Sequence, residues 1–311
     1  MKIDWKFWKA RDWNVWKPRL LYGAFAVAAF ALALRWTFPG EAVKERLIME
    51  AGARGWQVDM ADVGPAGVLG VRAEGVRLED STGLKISLDA LGASLKVLPL
   101  LTGKRVLAFD ARVFQGTIEG TADLSGDARA VVARVDGVDL AQAPPLKAAT
   151  GVDLTGKLGG TVDVVVPAGP NDKPTGRIDL AVAGAGVSGG KLPLPGMDAA
   201  LPLQKIALGA ITLKVKLDGG KAIAEKLEAK GGDAELSADG LSLQVAGQPR
   251  LEYAPLFGKA KIRLQPAFWS RSGMSQYQSL AEMAKGPDGA YSLQVFGSLG
   301  HPRVAVAPNA Q

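Results

Sequence analysis

The sequence predicts a mostly β protein: an N-terminal transmembrane helix followed by a long curled antiparallel β-sheet with one or two short helices. Three observations carry this. Beyond residue 55, apolar and polar residues alternate one for one, as in "ITLKVKLDGG", where Ile211, Leu213, Val215 and Leu217 interleave with Thr212, Lys214, Lys216 and Asp218. A period of two sends each set to its own face of a strand, so the sheet is apolar on one side and wetted on the other. The 39 glycines and 18 prolines among 311 residues, against 6% aromatics, weaken helices and supply turns. Finally, Leu20 to Leu34 carries no charge at all and follows a basic tail.

That tail, residues 1–19, carries +4 of the chain's net +6, leaving +2 for the other 292 residues. No basic stripe remains to track a phosphate backbone, which excludes nucleic acid as a partner. Trp5, Trp8, Trp13 and Trp16 fall within a ~140° arc if the tail is helical, which suits a helix lying on the membrane face; an irregular tail near lipid is the alternative. Residues 20–38 are long enough to cross a bilayer core if Arg35 snorkels, with Leu20, Phe25, Phe30 and Leu34 facing lipid and Trp16 and Trp36 at the two interfaces. "ALA" at Ala31 to Ala33 resembles a leader cleavage site, but the long tryptophan-rich segment before it favours an uncleaved anchor. Positive charge stays inside, so residues 1–19 are expected in the cytoplasm and residues 39–311 beyond the inner membrane as a β-rich domain.

After the anchor, "GEAVKERLIMEAGARG" (Gly40 to Gly55) reads as a helix of about three turns closed by glycine. Strands then follow: "LKISLDAL" places Leu84, Ile86 and Leu88 on one face, and "GRIDLAVAG" and "GAYSLQVFG" alternate likewise. Turn signals such as "EDSTG", "PNDKPTG", "KGGD" and "GPDG" separate them, which gives more than ten strands with hardly a helix between. Glycine within the strands permits strong bending. Ser275 to Gly286 reads as one later helix, a plug for the open end of the sheet.

Two short patterns suggest chemistry. "GAGVSGG" (Gly184 to Gly190) fits both the dinucleotide fingerprint and the elbow that presents a hydrolase serine, here Ser188. Each needs a helix behind it, because a helix N-terminus binds the pyrophosphate and a helix carries the elbow. Pro193, Pro195 and Pro202 forbid one. The only histidine, His301, sits before a proline with no acid aimed at it, and cysteine is absent. Acidic residues are scattered singly, without calcium-loop or Walker spacing. No catalytic residue, cofactor site or metal site is expected, and the chain reads as a non-enzyme.

Three segments carry a resemblance. Ala51 to Gly120, with its post-anchor helix, "PLLTGK" step and "FQGTIEG" hairpin, resembles the start of AsmA-like proteins. "VDGVDLAQAPPLKAATGVDLTGKLGGTVDVVVP" (Val135 to Pro167) resembles type II secretion system protein N, and Gly289 to Val306 is similar to the closing strands of both groups. The protein N resemblance implies an inner-membrane-anchored periplasmic component of the type II secretion machine, with other secretion components as partners. The AsmA-like resemblance implies a curled sheet whose apolar groove handles phospholipid. Neither implies catalytic residues. Length favours protein N, since a dozen strands stack to only ~60 Å. An apolar face can close on itself, be covered by a partner or be filled by lipid. Leu84, Ile86, Leu88, Ile211, Leu213, Val215 and Leu217 are the candidate residues of that groove or interface.

Overall fold

The computed structural model describes residues 21–306 except 24, 27–28, 31, 34–35, 68, 81–84, 145, 148–150, 170–171, 194–199 and 247–252. Trp16, Leu20, Leu34 and Leu84 therefore lie outside the described residues. Leu21, Tyr22, Phe25, Phe30, Leu32 and Trp36 are helical and exposed. Among the described residues no helix is long and apolar enough to cross a membrane.

Helix α1 spans Gly40–Gly52, closing at the first of the two glycines, Gly52 and Gly55, at which the sequence could end it. Sixteen strands follow in one antiparallel sheet. They are β1 (Trp56–Asp59), β2 (Asp62–Pro65), β3 (Gly70–Asp80), β4 (Lys85–Leu95), β5 (Val106–Val113), β6 (Gly116–Asp123), β7 (Arg129–Asp139) and β8 (Val152–Val166). Then come β9 (Thr175–Pro193), β10 (Ala200–Leu203), β11 (Ile206–Asp218), β12 (Lys221–Lys230), β13 (Ala234–Gln244), β14 (Pro255–Leu264), β15 (Tyr291–Ser298) and β16 (Pro302–Val306). From β3 onward each strand pairs with the next in sequence, save that short β10 hangs on β9 and β11 takes its place in the path; β1 and β2 both pair with β3. This is a pure meander, the result of alternation interrupted only by turns.

A meander has two ends. We call upper the end where β3 finishes and lower the end where β4 finishes. The β2–β3, β4–β5, β6–β7, β8–β9, β11–β12, β13–β14 and β15–β16 connections lie at the lower end, the β1–β2 link lies midway along β3, and the others lie at the upper end. Most are tight. Phe114 and Gln115 close the β5–β6 hairpin with φ of 48° and 62°, the left-handed pair that a two-residue turn requires.

Among the described residues three connections carry helix, the β7–β8 link with a 3₁₀ turn (Leu140–Gln142) among them. Val97–Leu101 forms α2 at the lower end. At the upper end the β14–β15 connection holds α3 (Pro266–Arg271), a 3₁₀ turn (Ser275–Tyr277) and α4 (Gln278–Glu282). The single helix expected over Ser275 to Gly286 is present as a 3₁₀ turn running directly into α4 and ending at Glu282, and α3 is an additional helix.

Buried apolar side chains gather at two places. One cluster joins Met60, Val63, Ala73 and Val76 under α1, with Phe38, Val43, Ile48, Val58, Leu78 and Leu88 packed against it. The other joins Val152, Val187 and Ile206, at the upper ends of β8, β9 and β11, to Phe268 and Trp269 of α3.

Candidate functional site

Residues directly opposite each other on paired strands share a face, so the register traces each face across the sheet. From Leu213 one line runs through Leu180, Gly160, Val135, Ile118 and Ala111 to Leu91. The other way it runs through Leu227, Ala238, Ala260 and Leu293 to Val306. Twelve strands contribute to this row and none places a polar side chain in it.

Two residues lower, Val215 opens a second row through Ile178, Val162, Ala133, Gly120, Phe109 and Ala93. Leu217 opens a third through Gly176, Val164, Val131, Ala122, Leu107 and Leu95. The opposite face is charged. Lys214 leads through Asp179, Thr161, Arg134 and Glu119 to Asp110. There Arg72 reaches Asp110 at 3.1 Å across Gly92, where any side chain would collide with the carboxylate.

Burial follows the same division. Along β7, Val131, Ala133 and Val135 are half-buried while Val132, Arg134 and Asp136 are exposed. Ile211, Leu213 and Val215 are half-buried, and Leu217 is buried. In mid-sheet the apolar rows are therefore shielded by their own neighbours rather than sealed in a closed core. Each buried cluster sits at a margin of the sheet.

The candidate groove residues divide accordingly. Ile211, Leu213, Val215 and Leu217 lie on the continuous apolar face. Leu88 does not act as open surface, because it packs in the closed cluster beneath α1. Ile86, its neighbour one pleat away, is half-buried. By alternation along β4, Ile86 and Leu88 share the face of Ala90 and Gly92, opposite to Leu91, so they lie off the apolar face on the side that α1 covers; alternation within one strand could not report which face of the sheet its apolar set would take.

The upper end is clasped by the α3 segment. Phe268 and Trp269 meet edge to face, with ring centroids 5.2 Å apart and planes at 83°. Asp233, in the β12–β13 turn and only 1% exposed, holds the segment at both ends. Its carbonyl accepts from the Gln265 N–H at 2.9 Å, just before α3, and its carboxylate accepts from Arg271 at 2.8 Å, at the close of α3. The other carboxylate oxygen accepts from the Ala207 N–H of β11 at 2.7 Å. Asp233→Ala should cost about 1–3 kcal/mol, chiefly because the Ala207 N–H loses its acceptor in a shielded place while Arg271 turns to water. Urea unfolding of the variant measures this. Sequence reasoning missed Asp233; its only signal was an acid inside a "KGGD" turn.

Two further acids brace the margins of the clasp and the sheet. Lys261 and the Ala290 N–H hold the Asp288 carboxyl below the usual carboxylate range. Lys226 and Lys230 do the same for Glu228 on the charged face. Burial, with a contribution from Glu282, pushes the Tyr291 hydroxyl up.

The glycine pattern falls inside β9. Gly184 to Gly190 are paired with β8 on one side and, as far as Val187, with β11 on the other, so neither a nucleotide loop nor a serine elbow forms there. Ser188 donates to the Asp153 carbonyl at 3.3 Å near the upper end. His301 lies in the lower-end β15–β16 turn, at the other end of the strands. Among the described residues no group of three or more histidines or acids could hold a metal ion. No family model matches the chain, and no curated protein or solved structure matches it either.

Proposed function

We propose that this protein is an inner-membrane-anchored periplasmic component of the type II secretion machinery, a structural part with no chemistry of its own. Its working surface is the apolar face of the sheet. The observation that carries this is the unbroken apolar row from Leu91 to Val306, half-shielded and backed by a charged opposite face. The exposed helical residues Leu21, Phe25, Phe30 and Trp36 support the anchor. The resemblance to protein N supports secretion as the setting.

The sheet also curls in this reading. The α3 segment hangs from β14 yet joins one buried cluster with Val187 and Ile206 of β9 and β11 and Val152 of β8, up to five strands back along the path, which supports a curl. A curled apolar face is a trough, and its chemistry suits acyl chains as well as a protein partner. A lipid-handling groove in envelope phospholipid transport is accordingly the second reading.

Deleting the gene separates the two. The secretion reading expects exported proteins to accumulate in the periplasm while the outer membrane keeps its resistance to detergent. Normal secretion with a detergent-sensitive envelope would overturn it in favour of the lipid groove.

A further inference from the structure

The lower end of the sheet carries an exposed apolar turn that the working face does not use. Helix α2 reads Val97-Leu98-Pro99-Leu100-Leu101, and Leu98 and Leu101 are 79% and 78% exposed. None of its residues is buried, as the helix is a single turn just beyond β4. Lys96 precedes it, and Lys104 and Arg105 follow it, all exposed. No acidic residue occurs from 96 to 109. Lys96 lines a hollow with Asp110 and Glu119 of the charged face, and at the end of neighbouring β6 Lys104 helps to lower the Asp123 carboxyl after the larger effect of Ser125.

Its position supplies the second argument. Gly40, the first residue of α1, lies against the Val63 carbonyl of β2, and Trp36 lines a hollow with Gly64, Pro65 and Arg72. The segment leading from residue 21 therefore meets the sheet at its lower end, beside the β2–β3 turn. The Leu95 N–H donates to the Leu69 carbonyl of that turn at 2.9 Å, which ties the base of α2 to it. Leu69 is itself exposed. β2 and β4 are two strand spacings apart, so α2 stands ~10 Å from the anchor's point of entry.

We propose that α2 is a second membrane foot: Leu98 and Leu101 enter the interface of the bilayer that holds the anchor, while Lys96, Lys104 and Arg105 meet its anionic headgroups. Two apolar side chains ringed by cations suit that interface, where apolar contact and charge attraction add. A single helix tethers a domain but leaves it free to tilt. A foot ~10 Å away across the strands fixes the sheet upright, with its strands rising from the membrane and its rows running along it. The inference rests on the anchor reading for residues 20–38.

The chain has no cysteine, so single-site labelling needs no background removal. The full chain, carrying an environment-sensitive fluorophore at Leu98→Cys, Leu101→Cys, Leu280→Cys or Phe30→Cys, is reconstituted in vesicles of phosphatidylethanolamine and phosphatidylglycerol. Leu280 serves as the control because it is 68% exposed and apolar, but lies at the upper end. The expected result is quenching by doxyl-lipid at 30, 98 and 101 and none at 280, with iodide quenching at 98 and 101 several-fold weaker than at 280. Replacing phosphatidylglycerol by phosphatidylcholine should reduce lipid contact at 98 and leave 30 unchanged. Lipid contact at 30 with iodide access at 98 and 101 equal to that at 280 overturns the foot and spares the anchor. Lipid contact at 98 without contact at 30 overturns the anchor and keeps the foot, and contact at neither overturns both.

Discussion

Replacing Trp269 by alanine should destabilise the protein by about 3–5 kcal/mol, the usual cost of deleting a large buried aromatic side chain. Trp269 is buried between Phe268 and the upper ends of β8, β9 and β11, and this is one of only two buried apolar clusters among the described residues. The loss should also be local. In an extended meander each strand is stabilised mainly by its neighbours, as in repeat proteins, so damage at one end need not reach the other. Hydrogen exchange should accelerate at Val152, Val187 and Ile206, while β5 and β6 keep their protection. A cost below about 1 kcal/mol would mean that α3 is not docked on the upper end of the sheet.

Gly160→Val should be as damaging, at about 3–5 kcal/mol, for a different reason. Gly160 has a φ of 149°, which side chains seldom adopt, and a Cβ there would run into the Asp179 carbonyl and the Leu180 backbone of β9. Those are main-chain atoms in a continuous ladder, so they cannot move aside as the end of a flexible side chain can. Gly160 stands in the Leu213 row between Val135 and Leu180. The valine adds apolar surface to an apolar row, so a polarity argument alone would call it harmless. Thermal unfolding distinguishes the two: an unchanged midpoint would show that β8 and β9 are farther apart than their pairing requires.

The fold was legible wherever the period of two was long. "ITLKVKLD" alternates over eight residues, and β11 holds it with the apolar set on one face. Other features depend on contacts far apart in sequence and leave little local trace. Phe268 and Trp269 lie in a six-residue helix, too short for a helical period, and their burial depends on strands more than sixty residues away. Asp233 looks like an ordinary turn acid until Arg271, thirty-eight residues on, folds back to it. Leu88 shows the converse limit: its alternation is clear, yet which face of the sheet that set takes depends on strand pairing, and here it is the face opposite Leu91, covered by α1. The glycine motif misleads in a related way, since a strand rich in glycine matches loop patterns by spacing alone. What decides is the segment that follows, and here β9 is simply paired through the motif.

The most direct test of the account is photo-crosslinking in intact cells from positions 213, 215 and 214. Side chains 213 and 215 share the apolar face and 214 points the other way. With secretion as the setting, probes at 213 and 215 should capture a second polypeptide, and the probe at 214 should capture little. Lipid alone at 213 and 215 would replace the scaffold by the lipid groove while keeping the apolar face as the working surface. Capture of only the protein's own residues at both positions would mean a closed core, and would contradict the central claim.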